Sequence, residues 1–299
     1  MRRRYYIVLF LILTLAILTR VFLSSTPDPA QPINPAPTVS APSLTADQLK
    51  NAQYQLGARD GHAVVQLTDG QYQQGTDATT LDFAHVSLSE FISIGDLTGD
   101  GISEAAAIFF ENYGGTGNFC FLAIYTNVNG LPVFLTSVII DDRPLINTMT
   151  IENGEVYLDA IIHGFEDPGC CPALPTIRSY ALVKNKLRIT SCVTSTFDGT
   201  KREIEIMSPA DGTEVTEFVQ ISGAVSIAPF ENNLSYFIYD EAGNQLIAGS
   251  VMVTAPGTFS KLIPLAGISA GTPVYLEIQD ISAADGSWLA MDSVKLFAK

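Results

Sequence analysis

Basic side chains are scarce in this 299-residue sequence: 16 Lys and Arg stand against 31 Asp and Glu, a net charge of −15. Residues 1–43 hold four of the basic residues and one of the acidic ones. The rest therefore carries 12 basic against 30 acidic, or −18. Nucleic acid is excluded as an expected partner, because phosphate binding needs a basic face. Such a surface suits solubility and divalent cations. Histidine is rarer still. His62, His85 and His163 are the whole set, and none stands in a His-Glu-x-x-His or His-x-His pattern. No Cys-x-x-Cys occurs, so the usual zinc and dithiol-redox spacings are missing. No cysteine is placed for a lipid anchor.

The N-terminus holds what the rest lacks. Residues 5–23, YYIVLFLILTLAILTRVFL, are apolar apart from Arg20 and follow Arg2-Arg3-Arg4. At 1.5 Å per residue they span roughly 28 Å, close to the hydrocarbon thickness. Arg20 lies within a turn of the far end, where its stem can reach the headgroups. Three arginines ahead of the run keep that end cytoplasmic and place the rest outside. The sequence predicts a signal anchor over 1–26, with a cleaved signal peptide as the alternative reading. Both export the chain.

Residues 27–43 contain Pro27, Pro29, Pro32, Pro35, Pro37 and Pro42. They read as an extended proline-rich tether of about 50 Å at polyproline II rise.

From 44 to 195 the pattern is strand and turn, with a short helix at the start where Thr45 serves as N-cap. Strands are expected over 62–67, 83–87, 91–94, 105–110, 119–125, 133–140, 145–151, 155–163, 177–183 and 187–192. Turn pairs such as Asn129-Gly130, Asn153-Gly154 and Lys184-Asn185 separate them. Short gaps predict an antiparallel meander, and hence a mostly-β, α+β extracytoplasmic domain. Cys120, Cys170, Cys171 and Cys192 all fall here, in a compartment where disulfides persist. Four cysteines allow three connectivities. Adjacent α-carbons are about 3.8 Å apart, below the usual disulfide range. Cys170 and Cys171 are therefore expected to pair with Cys120 and Cys192 rather than with each other.

After a polar join at 196–202, seven short strands follow in 203–299: 203–207, 218–224, 235–239, 245–253, 258–263, 274–279 and 288–297. That number and spacing is the pattern of a seven-stranded immunoglobulin-like sandwich. It has no cysteines, and the single Trp, Trp288, lies near its end. Ser208-Pro209 with Gly212 follows the first strand, and Ile221-Ser222-Gly223-Ala224 lies on the second. Phe230-Glu231-Asn232-Asn233-Leu234 precedes Tyr236, Asp240 and Gly243 mark the next turn, and Asp285-Gly286-Ser287 comes near the end. With these features, residues 204–299 resemble the immunoglobulin-like domain of bacterial spore germination proteins. Gly257-Thr258-Phe259 departs from the Gly-x-Trp often found there. The resemblance implies an envelope interaction module without catalytic residues.

One loop could hold a cation. Gly95-Asp96-Leu97-Thr98-Gly99-Asp100-Gly101-Ile102-Ser103-Glu104 resembles the aspartate-rich calcium loops of integrin-type propeller repeats and dockerins. Asp96, Thr98, Asp100, the Ile102 carbonyl and Glu104 are the candidate ligands, and calcium the candidate ion. Thr98 replaces the usual Asp or Asn, and Ala107 stands where an EF-hand needs Glu. A polar β-turn is the competing reading. Gly114-Gly115-Thr116-Gly117 reads as a hairpin loop, because a strand follows it rather than a helix. Asp141-Asp142 and Glu166-Asp167 could flank a glycosidic bond only if folding set them the right distance apart.

The expectation is a single-pass cell-membrane protein with its bulk extracytoplasmic, binding a cell-wall polymer or an envelope protein without catalysis. A wall-acting hydrolase with carboxylates in 44–195, and a calcium-stabilised spacer, are the alternatives.

Overall fold

The computed structural model describes residues 42–58 and 62–299. The anchor expected over 1–26 and nearly all of the linker lie outside the described residues. Among the described residues no helix is long and apolar enough to cross a membrane. The described residues form one compact unit.

The unit opens on a one-turn helix, α1 (Ala46–Leu49). Thr45 caps it reciprocally: its hydroxyl accepts from Gln48 N, and the Gln48 side chain accepts from Thr45 N at 2.8 Å. A small antiparallel pair follows, β1 (Gln53–Gln55) and β2 (Val64–Gln66). Then come β3 (Gln71–Gln74), β4 (Ala84–Gly95), β5 (Glu104–Asn112), β6 (Phe119–Val128) and β7 (Leu131–Asp142). They form a five-stranded antiparallel sheet in chain order, the expected meander. The stretches expected as two strands at 83–87 and 91–94 are one strand, β4, which bulges between Leu88 and Ile92. Asn129 and Gly130 both take positive φ between β6 and β7, which a two-residue hairpin turn requires.

This sheet is covered on both faces. Ala105, Ala107, Phe109 and Tyr125 pack against Leu49, Tyr54 and Leu56, with the Tyr54 ring stacked 4.3 Å from Phe109. Ala106, Ile108, Leu122 and Ile124 point the other way, onto Met149, Val156, Leu158 and Tyr180. Double coverage explains why β5 and β6 read as apolar runs instead of alternating. The second cover is made by β8 (Leu145–Glu152), β9 (Glu155–Ile162), β10 (Leu174–Val183) and β11 (Lys186–Ser195), again antiparallel neighbours.

The join at 196–202 is short and ends in β12 (Lys201–Arg202), which pairs with β11. Beyond it lie β13 (Ile204–Ser208), β14 (Thr213–Val215), β15 (Phe218–Val225), β16 (Asn233–Asp240), β17 (Gln245–Thr254), β18 (Thr258–Pro264), β19 (Pro273–Ile281) and β20 (Trp288–Ala298). Seven of these match the expected strands, and β14 is added, parallel to β20. Their core holds Ile221, Leu234, Ile238, Ile263, Leu276 and Leu296.

The two halves share backbone pairing. β20 lies antiparallel to β11, with Ser191 opposite Asp292, Cys192 opposite Met291 and Val193 opposite Ala290. One 13-stranded sheet therefore runs through both. Side chains tighten the seam: Thr194 Oγ1 donates to Leu289 O at 2.6 Å, Ser293 Oγ to Thr190 O at 2.9 Å, and Arg202 pairs with Asp280 at 2.8 Å.

The cysteines depart from expectation. Cys170 and Cys171, both exposed, are bonded to each other. Cys120 and Cys192 are free thiols, fully buried on β6 and β11. An exposed turn cannot deliver Cys170 or Cys171 to partners sealed in a packed core, so the adjacent pairing replaces the two long-range bridges.

Candidate functional site

The Asp96 loop holds itself together. Asp96 Oδ1 accepts from Thr98 N at 3.1 Å and Gly99 N at 2.7 Å, and Oδ2 accepts from Gly101 N at 2.8 Å. These backbone N–H groups, Gly101 foremost, hold the Asp96 carboxyl below its usual range. Asp100 accepts from Ile102 N. Glu104 is buried and turns inward to Leu97 N at 2.9 Å; burial pushes its carboxyl up. Among the described residues no group of three or more His, Cys, Asp or Glu converges as a metal site.

The acidic pairs are occupied differently from one another. Asp141 Oδ2 accepts from His163 N at 2.6 Å and lies 2.8 Å from His163 Nδ1, while His163 Nε2 is buried without a partner. Asp142 is desolvated, yet hydrogen bonds from Arg143 and Asn118 N outweigh that and hold its carboxyl low. Asp167 accepts from Gly164 N and Ala173 N, and Glu166 is exposed. Cys120, opposite Asp141 in the sheet, is kept protonated by burial, so it supplies no thiolate to this group. The string Gly267-Ile268-Ser269-Ala270-Gly271 lies in the loop between β18 and β19. It is not a strand-to-helix turn and builds no nucleophile elbow.

A buried carboxylate that the sequence reading passed over is Glu111. It accepts from Tyr54 Oη at 2.7 Å, Tyr113 Oη at 2.6 Å, Gly57 N at 2.8 Å and Ala58 N at 3.0 Å. Four donors satisfy it, so it works as a strut beneath the chain at 57–58. The Gly114–Gly117 run is the β5–β6 hairpin loop, as expected.

Two hollows flank β7, of about 450 and 570 Å³. Their described lining is largely amide and aliphatic, without Asp, Glu, Lys or Arg. A smaller hollow of about 290 Å³ lies by the seam and combines more chemistry. Val138 of β7 with Leu187 and Ile189 of β11 form its aliphatic side. Tyr239 of β16 and Trp288, the first residue of β20, form its aromatic side. Arg188 and Glu277 meet there as an ion pair, 15 % and 6 % exposed. The guanidinium also lies over the rings of Tyr239 and Tyr275, at 5.0 and 4.5 Å from their centroids. Burial pushes the Glu277 carboxyl up, against the opposing pull of Arg188 and Gln279. Arg188 Nε has no partner. Among the described residues Trp288 joins no ring–ring or cation–ring contact.

Residues 203–287 match the Gmad2 family model, the immunoglobulin-like domain of bacterial spore germination. That is the resemblance read from the sequence. None of the curated proteins matches the chain. The matched stretch ends one residue before Trp288. Within the hollow, Tyr239 and Glu277 belong to the immunoglobulin-like domain, Arg188 and Val138 to the preceding half, and Trp288 to the strand that joins them. The hollow is thus a product of the junction and not of the family domain alone. Sequence reasoning missed it because Arg188 and Glu277 are 89 residues apart. The available signal was an arginine between Leu187 and Ile189 and a lone tryptophan.

Proposed function

We propose that the protein is a single-pass, membrane-anchored component of a bacterial cell envelope, whose folded part lies outside the membrane and binds a wall polymer without catalysis. The carrying observation is the seam hollow, which an unstacked tryptophan, a tyrosine and the Arg188–Glu277 ion pair line together. Such a mixture of ring faces and few polar groups suits ligand binding. Residues 5–23 behind Arg2-Arg3-Arg4 support the anchor and its orientation. The immunoglobulin-like match supports a binding or structural module, since fold alone assigns no activity.

The test is sedimentation of residues 40–299 with purified, protein-free insoluble wall. Wild type should pellet with the wall and Trp288→Ala should stay in solution. Wild type left in the supernatant rejects the reading; pelleting only with walls that retain their proteins assigns the site to an envelope protein. For orientation, protease added to intact, wall-stripped cells should remove 44–299. Mature protein starting near Thr26 in the soluble fraction would show cleavage instead of anchoring.

A second reading, a wall-acting hydrolase, would need His163, oriented by Asp141, to expose the Nε2 that the fold now seals. Release of soluble wall fragments that His163→Ala abolishes would establish it.

A further inference from the structure

We infer that Cys170 and Cys171 form a reversible redox site, opened by a dithiol reductant and closed again by a disulfide oxidant. The bond is poorly suited to be a staple. It spans only the peptide link between two neighbours. A disulfide restrains the unfolded chain more the longer the loop it closes, so this one restrains it least. The loop between β9 and β10 is also held without it. Asp167 N donates to Gly164 O at 3.1 Å. Asp167 Oδ2 accepts from Gly164 N at 2.8 Å and from Ala173 N at 2.7 Å, which ties the two ends of the loop together. Cys171 N donates to Pro168 O at 2.8 Å and closes the turn that carries the pair. Both cysteines are exposed, and exposed disulfides are the labile kind.

The other two cysteines stay out of the exchange. Cys120 and Cys192 are buried, and burial keeps their thiols protonated. Opening therefore runs between this pair and an outside reagent. One thiolate of the reductant attacks Sγ of Cys170 or Cys171. The Sγ–Sγ bond breaks, a mixed disulfide forms and the neighbouring sulfur leaves as a thiolate. The reductant's second thiolate then attacks its own sulfur in that bridge and expels the other cysteine. The reductant ends as a disulfide, having given two electrons, and the two cysteine sulfurs take up two protons. Adjacency selects the class of reductant. After attack by a monothiol, the freed neighbour sits beside the mixed disulfide and re-forms the original bond before a second monothiol arrives. A dithiol completes the exchange within the bridge.

The test is alkylation of native residues 40–299, read by mass. Dithiothreitol should add two labels, both in the peptide that carries Cys170 and Cys171, at an unchanged melting temperature. Glutathione at the same thiol concentration should leave the pair closed. Glutathione disulfide, added once the dithiol is removed, should abolish the labelling. Cys170→Ser/Cys171→Ser should take no label and melt with wild type. No label with dithiothreitol, or labels that appear only as the protein unfolds, overturns the inference. So does a pair that stays open in glutathione disulfide. Equal labelling with glutathione rejects the dithiol as the selected class and with it the inference. A double variant that melts well below wild type would make the bond a staple and overturns it too.

Discussion

Arg188 on β11 and Glu277 on β19 form a buried ion pair across the seam, 89 residues apart in the chain. Burial raises the carboxyl of Glu277, and the guanidinium opposes that rise. Removing one partner leaves the other buried and unpaired, which typically costs about 3–5 kcal/mol. Arg188→Met should therefore lower the urea midpoint strongly. The double variant Arg188→Met/Glu277→Leu should recover much of the loss, since no charge is then left behind. A double variant as unstable as the single one would show that packing, and not the pair, holds the seam.

Asp292 gives the protein a pH signature. Burial pushes its carboxyl up to about 6, with the charges of Glu205 and Glu155 adding to the rise and the N–H groups of Ile206 and Ser293 opposing it. The folded state then holds a proton that the unfolded chain has released above its ordinary value of 3.8. Stability from this group is present below about pH 4 and lost as pH rises to about 6, by roughly 2–3 kcal/mol. Asp292→Asn keeps an acceptor for Ile206 N without the titration. Its stability relative to wild type should rise between pH 4 and pH 6 in chemical denaturation. A difference that stays flat over that range would mean Asp292 ionises normally.

Thiol counting separates the two cysteine environments. Native protein should show no fast-reacting thiol, because Cys120 and Cys192 are sealed and burial keeps them protonated. Unfolding without reductant should release two, and reduction should raise the count to four. Four thiols without reductant would rule out the Cys170–Cys171 bond, and none would mean that Cys120 and Cys192 are themselves bridged.

The Asp96 loop can be tested with and without calcium. Asp96→Ala strips acceptors from the N–H groups of Thr98, Gly99 and Gly101, so its melting temperature should fall below wild type in chelator. A rise of the wild-type melting temperature in millimolar calcium, removed by Asp100→Ala, would assign the loop to that ion. No difference between Asp96→Ala and wild type in chelator would mean these hydrogen bonds do not stabilise the loop.

Strand periodicity and turn chemistry carried most of the architecture. The apolar runs at 105–110 and 119–125 read as strands, and their continuity reflects burial on both faces. β1 and β3 escaped because Gln53-Tyr54-Gln55 and Gln71-Tyr72-Gln73-Gln74 lack the β-branched residues that mark strands. The site was far less legible. Trp288 was visible as the lone tryptophan, but its neighbours Val138, Arg188, Tyr239 and Glu277 come from four separate strands. Only the β11–β20 register brings them together, and no local pattern encodes that register. The Cys170–Cys171 bond escaped for a related reason: general disulfide geometry argues against it, and only the burial of Cys120 and Cys192 decides otherwise.

The β11–β20 pairing also removes a degree of freedom. Two domains joined by a linker normally swing about it. Here a swing would have to break backbone hydrogen bonds together with the Thr194, Ser293 and Arg202 contacts, so the molecule has no hinge at this point. A cleft between hinged domains can close like jaws on what it catches. The seam hollow has no such jaws: any guest would meet an opening whose shape the β11–β20 pairing has already set.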